Sequence, residues 1–340
     1  MLKLNPLNYP ICFSQLLKID NVSTWVEHTP FGMFMVDILR PRVIVELGTN
    51  RGCSYLAFCQ TVKQLGLDTR CYAIDTWQGD AHTGPYSEDI LKNLRAYHDP
   101  LYGDFSRLMQ STFDDALQHF SDDSIDLLHI DGFHTYEAVR HDFETWLPKL
   151  SKHAIVFFHD TNVHERDFGV WQFWAELQQK YPTFEFFHGY GLGVLRMEPD
   201  PASALDALFA LDEAEAGQLR TFFSALGAHI ATVAQREKRI AEKDQRIKAL
   251  TDQQSEKDKR IKNLQAQAEK KEQRIQTLAT QYEIAIKENT QIKTELHEIA
   301  ASKAWRLALL LRSIRTFFIP VNSWQEKFAR SFYRTVTGKK

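Results

Sequence analysis

The stretch Val43-Ile-Val-Glu46-Leu-Gly48-Thr-Asn-Arg-Gly52 predicts a buried strand that ends in a carboxylate and a glycine turn. A second apolar run follows along the chain and closes on Asp75. A glycine turn after one strand and an acidic residue at the end of the next are typical of a nucleotide-like cofactor site in a doubly wound sheet. Glycine lets the backbone approach the cofactor where a Cβ atom would collide.

Short apolar runs and helical patterns alternate over residues 1–200. This alternation predicts an α/β fold with a Rossmann-like, doubly wound, mostly parallel seven-stranded sheet. Only His188 to Gly191 separate the last two runs, which is too short for a crossover, so these strands are predicted to form a C-terminal antiparallel hairpin. The predicted strands are 43–47, 71–74, 107–110, 125–130, 154–158, 184–187 and 192–197.

The second part of the chain is predicted to be helical. After a first, α/β domain (1–200) we expect a helical linker (201–223), a coiled coil (224–300) and a basic amphipathic tail (301–340). The coiled coil carries a 14-residue repeat that places isoleucine at a and leucine three residues later at d. Polar or small residues fill the intervening a and d positions, which indicates a soluble parallel dimer of limited stability; a single solvated helix is the alternative.

Composition narrows the classes of protein that fit. Four cysteines have no paired metal spacing and the first residues lack an apolar signal segment, which predicts a cytoplasmic protein in a reducing compartment.

The net charge is −3, but residues 301–340 carry nine basic side chains and one acidic one. This tail also carries Trp305, Leu309 and Phe317, and it is predicted to lie on an anionic membrane surface; the alternative is a core helix that ends the coiled coil or docks on another protein. No nucleic-acid-reading module is recognisable.

The glycine turn favours a cofactor without phosphates. Asn50 stands where the middle glycine of a dinucleotide fingerprint would lie, and a pyrophosphate would need that glycine. We therefore expect S-adenosylmethionine, with Asp75 binding the ribose; a helix N-cap or turn role for Asp75 is the alternative. The predicted cofactor-binding residues are Glu46, Gly48, Thr49, Asn50, Gly52, Ser54, Asp75, Thr76, Trp77, Ser111, Thr112 and Asp131.

Two later strand ends carry polar side chains that suit catalysis. Asp131 and His134 follow the fourth strand, and His159 and Asp160 follow the fifth. Asp131, Asp160 and His159 are predicted to hold Mg²⁺, and His134 is predicted to be the catalytic base, since imidazole titrates near neutral pH. The alternative is that these groups cap helices and bond one another without a metal. The remaining histidines, His82 among them, are expected to be structural or solvated, and the loop 77–82 is expected to cover the adenine or the acceptor.

These motifs resemble the class I S-adenosylmethionine-dependent methyltransferases, in the branch related to cephalosporin-hydroxylase-like and macrolide-sugar O-methyltransferases. The matching segments are Val45–Thr49, Ala73–Trp77, His129–Tyr136 and Phe158–Thr161. In metal-dependent relatives, the aspartate matching Asp131 and an acidic pair at the end of the fifth strand hold magnesium, and the histidine matching His134 is the base. His159 stands here where those relatives carry the first acid of the pair.

The coiled coil and the Ser302-x-x-Trp305-Arg306-Leu segment resemble bacterial surface-polysaccharide enzymes, in which methyltransferase or glycosyltransferase domains are joined to coiled coils and basic tails. The resemblance implies O-methylation of a glycan or lipid-linked oligosaccharide, such as an O-antigen precursor, by a homo-oligomer. Two rivals stay open: a methyltransferase of small metabolites, and a non-catalytic coiled-coil scaffold with a degenerate cofactor domain.

Overall fold

The computed structural model describes residues 4–18, 23–80, 82, 84–200, 203–319 and 322–337. The chain divides into two compact units, Met1–Gln245 and Arg246–Lys340. The first unit contains the sheet and its surrounding helices, and the second contains most of the long helix and the tail.

A seven-stranded sheet forms the centre of the first unit. Its strand order is β5-β2-β1-β6-β7-β9-β8. The first five strands in this order run parallel, whereas β9 pairs antiparallel with both β7 and β8. The predicted Rossmann-like sheet and its terminal hairpin are therefore confirmed. The strands are β1 (Val43–Leu47), β2 (Arg70–Asp75), β3 (Gly79–Asp80), β4 (Gly84–Pro85), β5 (Ser106–Gln110), β6 (Ile125–Ile130), β7 (Leu150–His159), β8 (Thr183–Phe186) and β9 (Leu192–Arg196), of which β3 and β4 form a separate short ribbon.

Helices cover both faces of the sheet. Ile44 and Leu127 pack into one hydrophobic cluster, while their neighbours Val45 and Leu128 pack into the other. Burial on both faces explains why the central strands are mostly apolar rather than alternating. The helices are α1 (Thr29–Leu39), α2 (Cys53–Leu65), α3 (Asp89–Tyr102), α4 (Phe113–Ala116), α5 (Tyr136–Trp146), α6 (Val170–Leu177), α7 (Asp206–Phe209), α8 (Glu213–Ala301), α9 (Lys303–Phe318) and α10 (Trp324–Thr337).

The first residues of α8 belong to the first unit and pack against α1. Phe223 is fully buried, and its ring centroid lies 5.2 Å from that of Phe31 and 5.3 Å from that of Phe34. Helix α8 begins at Glu213, before the position near 223 where the sequence indicates continuous helix. Residues 201–223, which were expected to be a linker, thus contribute to the hydrophobic core. The limits predicted for the first domain, the linker, the coiled coil and the tail stay predictions.

The tail forms two helices, α9 and α10. Glu326, its single acidic residue, accepts from Arg315 at 3.1 Å and from Arg330 at 2.9 Å. Residues 320, 321 and 338–340 of the predicted tail lie outside the described residues. Among the described residues, no helix has the length and apolar character needed to cross a membrane.

Candidate active site

A cleft of about 770 Å³ lies at the carboxyl ends of β1, β2, β6 and β7. Residues that follow each of these strands line it, including Gly48, Asp75, Asp131 and His159. Parallel strands bring their carboxyl ends to the same edge, so the sheet order turns four separate sequence motifs into one site.

The glycine turn after β1 is held in a conformation that favours glycine. Gly48 has a φ of +88°, and a Cβ atom there would lie 2.0 Å from the carbonyl oxygen of Asp131. The turn therefore passes directly against the end of β6, and any side chain at this position would collide with backbone.

Asp75 anchors the same turn. One carboxylate oxygen accepts from the amides of Thr49 at 3.0 Å and Asn50 at 2.8 Å, and the other accepts from the amide of Trp77 at 2.6 Å. Burial raises the pKa of Asp75 although these three donors oppose the shift. Asp75 thus lines the cleft and also fixes the backbone that would contact the cofactor.

Glu46 lies behind the cleft in a buried chain of hydrogen bonds. Its carboxylate lies 2.8 Å from Nδ1 of His129, and Nε2 of His129 accepts from the indole of Trp25 at 3.0 Å. A neutral His129 that carries its proton on Nδ1 can donate to Glu46 and accept from Trp25. Glu46 therefore ties β1 to β6 and to the segment before α1.

Eight of the twelve predicted cofactor residues line the cleft: Gly48, Thr49, Asn50, Ser54, Asp75, Thr76, Thr112 and Asp131. Glu46, Gly52, Trp77 and Ser111 are outside this lining. Trp77 nevertheless supports the turn, because its indole donates to the carbonyl of Asn50 at 2.8 Å. The assignment of these twelve residues to the cofactor stays a prediction.

Four ionisable side chains meet at the ends of β6 and β7. Nε2 of His134 lies 2.9 Å from Asp160 and 3.7 Å from Asp131. Nδ1 of His159 lies 3.3 Å from Asp131 and 3.4 Å from Asp160. The sequence placed these residues at neighbouring strand ends, and the structure brings all four together.

The pKa values of this cluster are coupled through its opposite charges. Burial lowers the pKa of His134, but its bonds to Asp131 and Asp160 outweigh burial and raise it to about 9. Burial raises the pKa of Asp160, but the charge of His159 and the bond to His134 outweigh it and lower the pKa to about 2. Nε2 of His159 also faces the carbonyl of Gly189 at 3.1 Å, so both of its ring nitrogens face acceptors, as expected for an imidazolium.

Asp131, His134 and Asp160 offer donor atoms that all lie within 4.8 Å of one another. One oxygen of Asp160 is buried without an aligned hydrogen bond, although His159 lies at ion-pair distance from it. Two carboxylates and an imidazole suit a divalent cation, so these residues fit one. His134 is therefore one of the three possible ligands, whereas His159, which was predicted to be a ligand, is not part of this group.

His82 is a site residue that the sequence analysis missed. Its Nδ1 lies 3.3 Å from Nδ1 of His134, and its Nε2 lies 2.8 Å from Asp167. The rings of His82 and His134 both stack on Phe168, with centroids 4.7 Å away in each case. The position of His82 in the loop 77–82, directly after β2, was the sequence signal that could have identified it, because that loop was expected to cover the adenine of the cofactor or the acceptor.

Residues 45–161 match the family model described as a methyltransferase domain. A 202-residue segment is 50% identical to the uncharacterized protein y4gI of Sinorhizobium fredii, and the match covers 59% of this chain and 22% of that protein. The chain thus spans about a fifth of the length of this curated relative.

Similar solved structures include three methyltransferases. The enzyme from Geobacter sulfurreducens is 18% identical with a TM-score of 0.39, covering 51% of this chain and 80% of that chain. The SAH-bound Podospora anserina methyltransferase PaMTH1 is 15% identical with a TM-score of 0.40, covering 51% and 78%. The Bacillus cereus O-methyltransferase in complex with SAH is 16% identical with a TM-score of 0.39, covering 54% and 84%.

All three TM-scores are below 0.5, so the fold assignment rests on the observed sheet order. The segment that matches the family model runs from β1 to just past β7 and contains the glycine turn and the charged cluster. Residues 45–161 are therefore similar to a methyltransferase domain.

Proposed function

We propose that the chain transfers a methyl group from S-adenosylmethionine to a hydroxyl oxygen of a glycan. The observation that carries this proposal is one cleft that joins the glycine turn at β1 and β2 to the charged cluster at β6 and β7. The glycine turn suits binding of the cofactor, and the charged cluster suits deprotonation of a hydroxyl group. Holding the oxygen and the methyl group in line supplies much of the rate enhancement in such a transfer.

His134 is the proposed base. The neutral form of His134 accepts the hydroxyl proton at Nε2, and Asp131 and Asp160 stabilise the imidazolium that forms. Because these carboxylates raise the pKa of His134 to about 9, the fraction in the neutral form, and with it the rate, should rise as pH increases toward that value. His82 and Phe168 hold the ring in place through the contact at Nδ1 and the stacked face. A divalent ion held by Asp131 and Asp160 would act as a Lewis acid that lowers the pKa of the acceptor hydroxyl.

The proposed acceptor is a sugar hydroxyl of a bacterial surface polysaccharide or of its lipid-linked precursor. The resemblance of the coiled coil and tail to surface-polysaccharide enzymes supports this choice. The open cleft supports it as well, because its lining includes several polar and aromatic side chains beyond the cofactor residues, among them Tyr86, His164 and Tyr190.

We further propose that the tail binds the cytoplasmic face of the inner membrane. Large apolar side chains of α9 and α10 are exposed, including Trp305, Phe317, Trp324 and Phe328. Glu326 offsets only one of the nine basic side chains of residues 301–340, so a net charge of +8 (9 − 1) is offered to anionic lipid. A glycosyltransferase partner is the alternative occupant of this surface.

The test combines binding with turnover in the full-length chain. Calorimetric titration should give micromolar binding of S-adenosylmethionine to the wild type. Binding should be weakened at least tenfold in Asp75→Ala, because the glycine turn loses its anchor, and unchanged in Asp68→Ala, where the replaced side chain is exposed. Radiolabelled methyl should then pass to a lipid-linked oligosaccharide extract.

Two other results of these experiments would support the alternative functions, a methyltransferase of small metabolites or a non-catalytic scaffold. Transfer to small metabolites but not to the extract would favour a metabolite methyltransferase. A folded wild-type chain that binds no S-adenosylmethionine would contradict the proposal and favour the scaffold.

A further inference from the structure

We propose that residues 247–299 of α8 pair with a second copy of this chain in a parallel, in-register coiled coil. The starting observation is an apolar stripe that nothing covers within the described residues. Its side chains are about half exposed or more, although aliphatic groups of this size favour burial. They are Ile247, Leu250, Ile261, Leu264, Ile275, Leu278, Tyr282, Ile292, Leu296 and Ile299.

The stripe keeps a single heptad frame over its whole length. With Ile247 at a and Leu250 at d, the same frame continues beyond the three repeats to Leu296 at a and Ile299 at d. A frame without interruption over more than seven heptads produces one continuous seam. In the three repeats, isoleucine at a with leucine at d favours two parallel strands.

The polar residues in the seam suit a second copy. Lys257 and Lys271 occupy d positions, and each is followed at e by an acidic residue, Asp258 or Glu272. In a parallel pair, the e residue of one helix flanks the d residue of the other, so each lysine lies beside a carboxylate of the second copy. Glu288 at g and Lys293 at the following e give a further opposite-charge pair between the helices.

Asn289 fixes the register. It lies at an a position, and in a parallel in-register pair it faces Asn289 of the second copy, where the two amides can bond each other. A shift by one 14-residue repeat would preserve the isoleucine and leucine layers but would place Asn289 against Ile275. An antiparallel pair would place Asn289 against a d residue. Either arrangement leaves a buried amide unpaired, which costs about 1–3 kcal/mol.

Cysteine cross-linking in the full-length chain tests orientation and register together. Leu264→Cys at d should form a covalent dimer as the main species after mild oxidation. Ala266→Cys, two residues away at an outer f position, should not, and neither should the wild type with its four native cysteines. Sedimentation equilibrium should give twice the 39.5 kDa chain mass. A monomer, or equal cross-linking of both variants, would overturn the proposal.

A second variant pair tests the role of Asn289. In an Asn289→Ile background, mixed Leu264→Cys and Leu278→Cys chains should give a staggered cross-link at least fivefold more often than in the parent background. Asn263→Ile, at an outer c position, should leave the yield unchanged. Equal yields in the two backgrounds would show that Asn289 does not select the register.

Discussion

Asp131, His134, His159 and Asp160 lie together at the ends of two neighbouring strands, and their properties depend on one another. Two imidazoles and two carboxylates can neutralise each other in a buried place where a lone charge would be costly. At the scale of single residues, function therefore depends on which of these groups holds a proton and which can receive one.

Replacing His134 by alanine should remove turnover while cofactor binding is kept. The base would be lost, and general base catalysis typically contributes about 10²–10⁴-fold to the rate. The measurements are methyl transfer and calorimetric titration of S-adenosylmethionine. The exposed His119→Ala variant serves as the control. If His134→Ala turned over at the wild-type rate, His134 would have no part in the mechanism.

A divalent ion should bind at Asp131 and Asp160. Mn²⁺, followed by electron paramagnetic resonance, should bind at one site per chain, and Asp160→Asn should lose this site. The neighbouring Asp167→Asn should keep it, because Asp167 contacts His82 and is outside the donor trio. Equal Mn²⁺ binding by Asp160→Asn and the wild type would exclude this site for the ion.

Asp142 predicts a pH dependence of stability. Burial of this carboxyl raises its pKa from 3.8 to about 7, so the folded state retains a proton that the unfolded state has lost between pH 4 and 7. The free energy of unfolding should therefore fall as pH rises through this window. Asp142→Asn should remove the effect and raise stability at pH 8 by at most about 4 kcal/mol, at 1.36 kcal/mol per pKa unit.

Urea unfolding at pH 4 and pH 8 measures this difference. The wild type and Asp142→Asn should differ little at pH 4, where the carboxyl is neutral in the fold and half neutral in the unfolded chain. The exposed Asp68→Asn control should follow the wild type. A gain of equal size at both pH values would point to packing and not to ionisation.

At the scale of elements, the turn between β1 and α2 depends on its close approach to β6. Gly48→Ala should destabilise the first unit by about 3 kcal/mol or more and weaken cofactor binding, because the added Cβ would collide with the backbone of Asp131. Gly66→Ala is the matched control, since Gly66 also has a positive φ of +61° but nothing lies within 4 Å of its added Cβ.

The control should cost only the conformational strain of about 1–2 kcal/mol. Thermal unfolding and S-adenosylmethionine titration measure the two effects. Equal losses in both glycine variants would mean that strain in the backbone, and not the contact with β6, accounts for the need for glycine at position 48.

At the scale of the whole molecule, the tail predicts where the chain works. Deletion of residues 302–340 should abolish sedimentation with phosphatidylglycerol vesicles, and the double variant Arg306→Glu, Arg312→Glu should reduce it at least fivefold. Both replaced arginines are outside the Glu326 contacts, so the turn between α9 and α10 is preserved.

Vesicles of phosphatidylcholine and a high-salt buffer provide the controls, because attraction to anionic lipid is screened by salt. An unchanged pellet fraction after the deletion would contradict the membrane role of the tail. Retention of a glycosyltransferase, with no binding to vesicles, would identify the tail as a protein-docking surface.

The local features of this protein could be predicted from its sequence. The strand β1, its glycine turn and the acidic end of β2 were readable because each depends on residues within a few positions. The long helix and its 14-residue repeat were readable because helical periodicity is a local property. The sequence analysis made no prediction for α1, whose first eight residues are all buried.

Contacts between polar groups that are distant in the sequence became visible in the folded chain. His129 contacts Glu46 over 83 positions, and His82 contacts His134 over 52 positions. The sequence placed Asp131 and Asp160 at two strand ends, but their contact with both histidines required the order and register of β6 and β7. Such contacts depend on packing between elements distant in sequence, which no local pattern encodes.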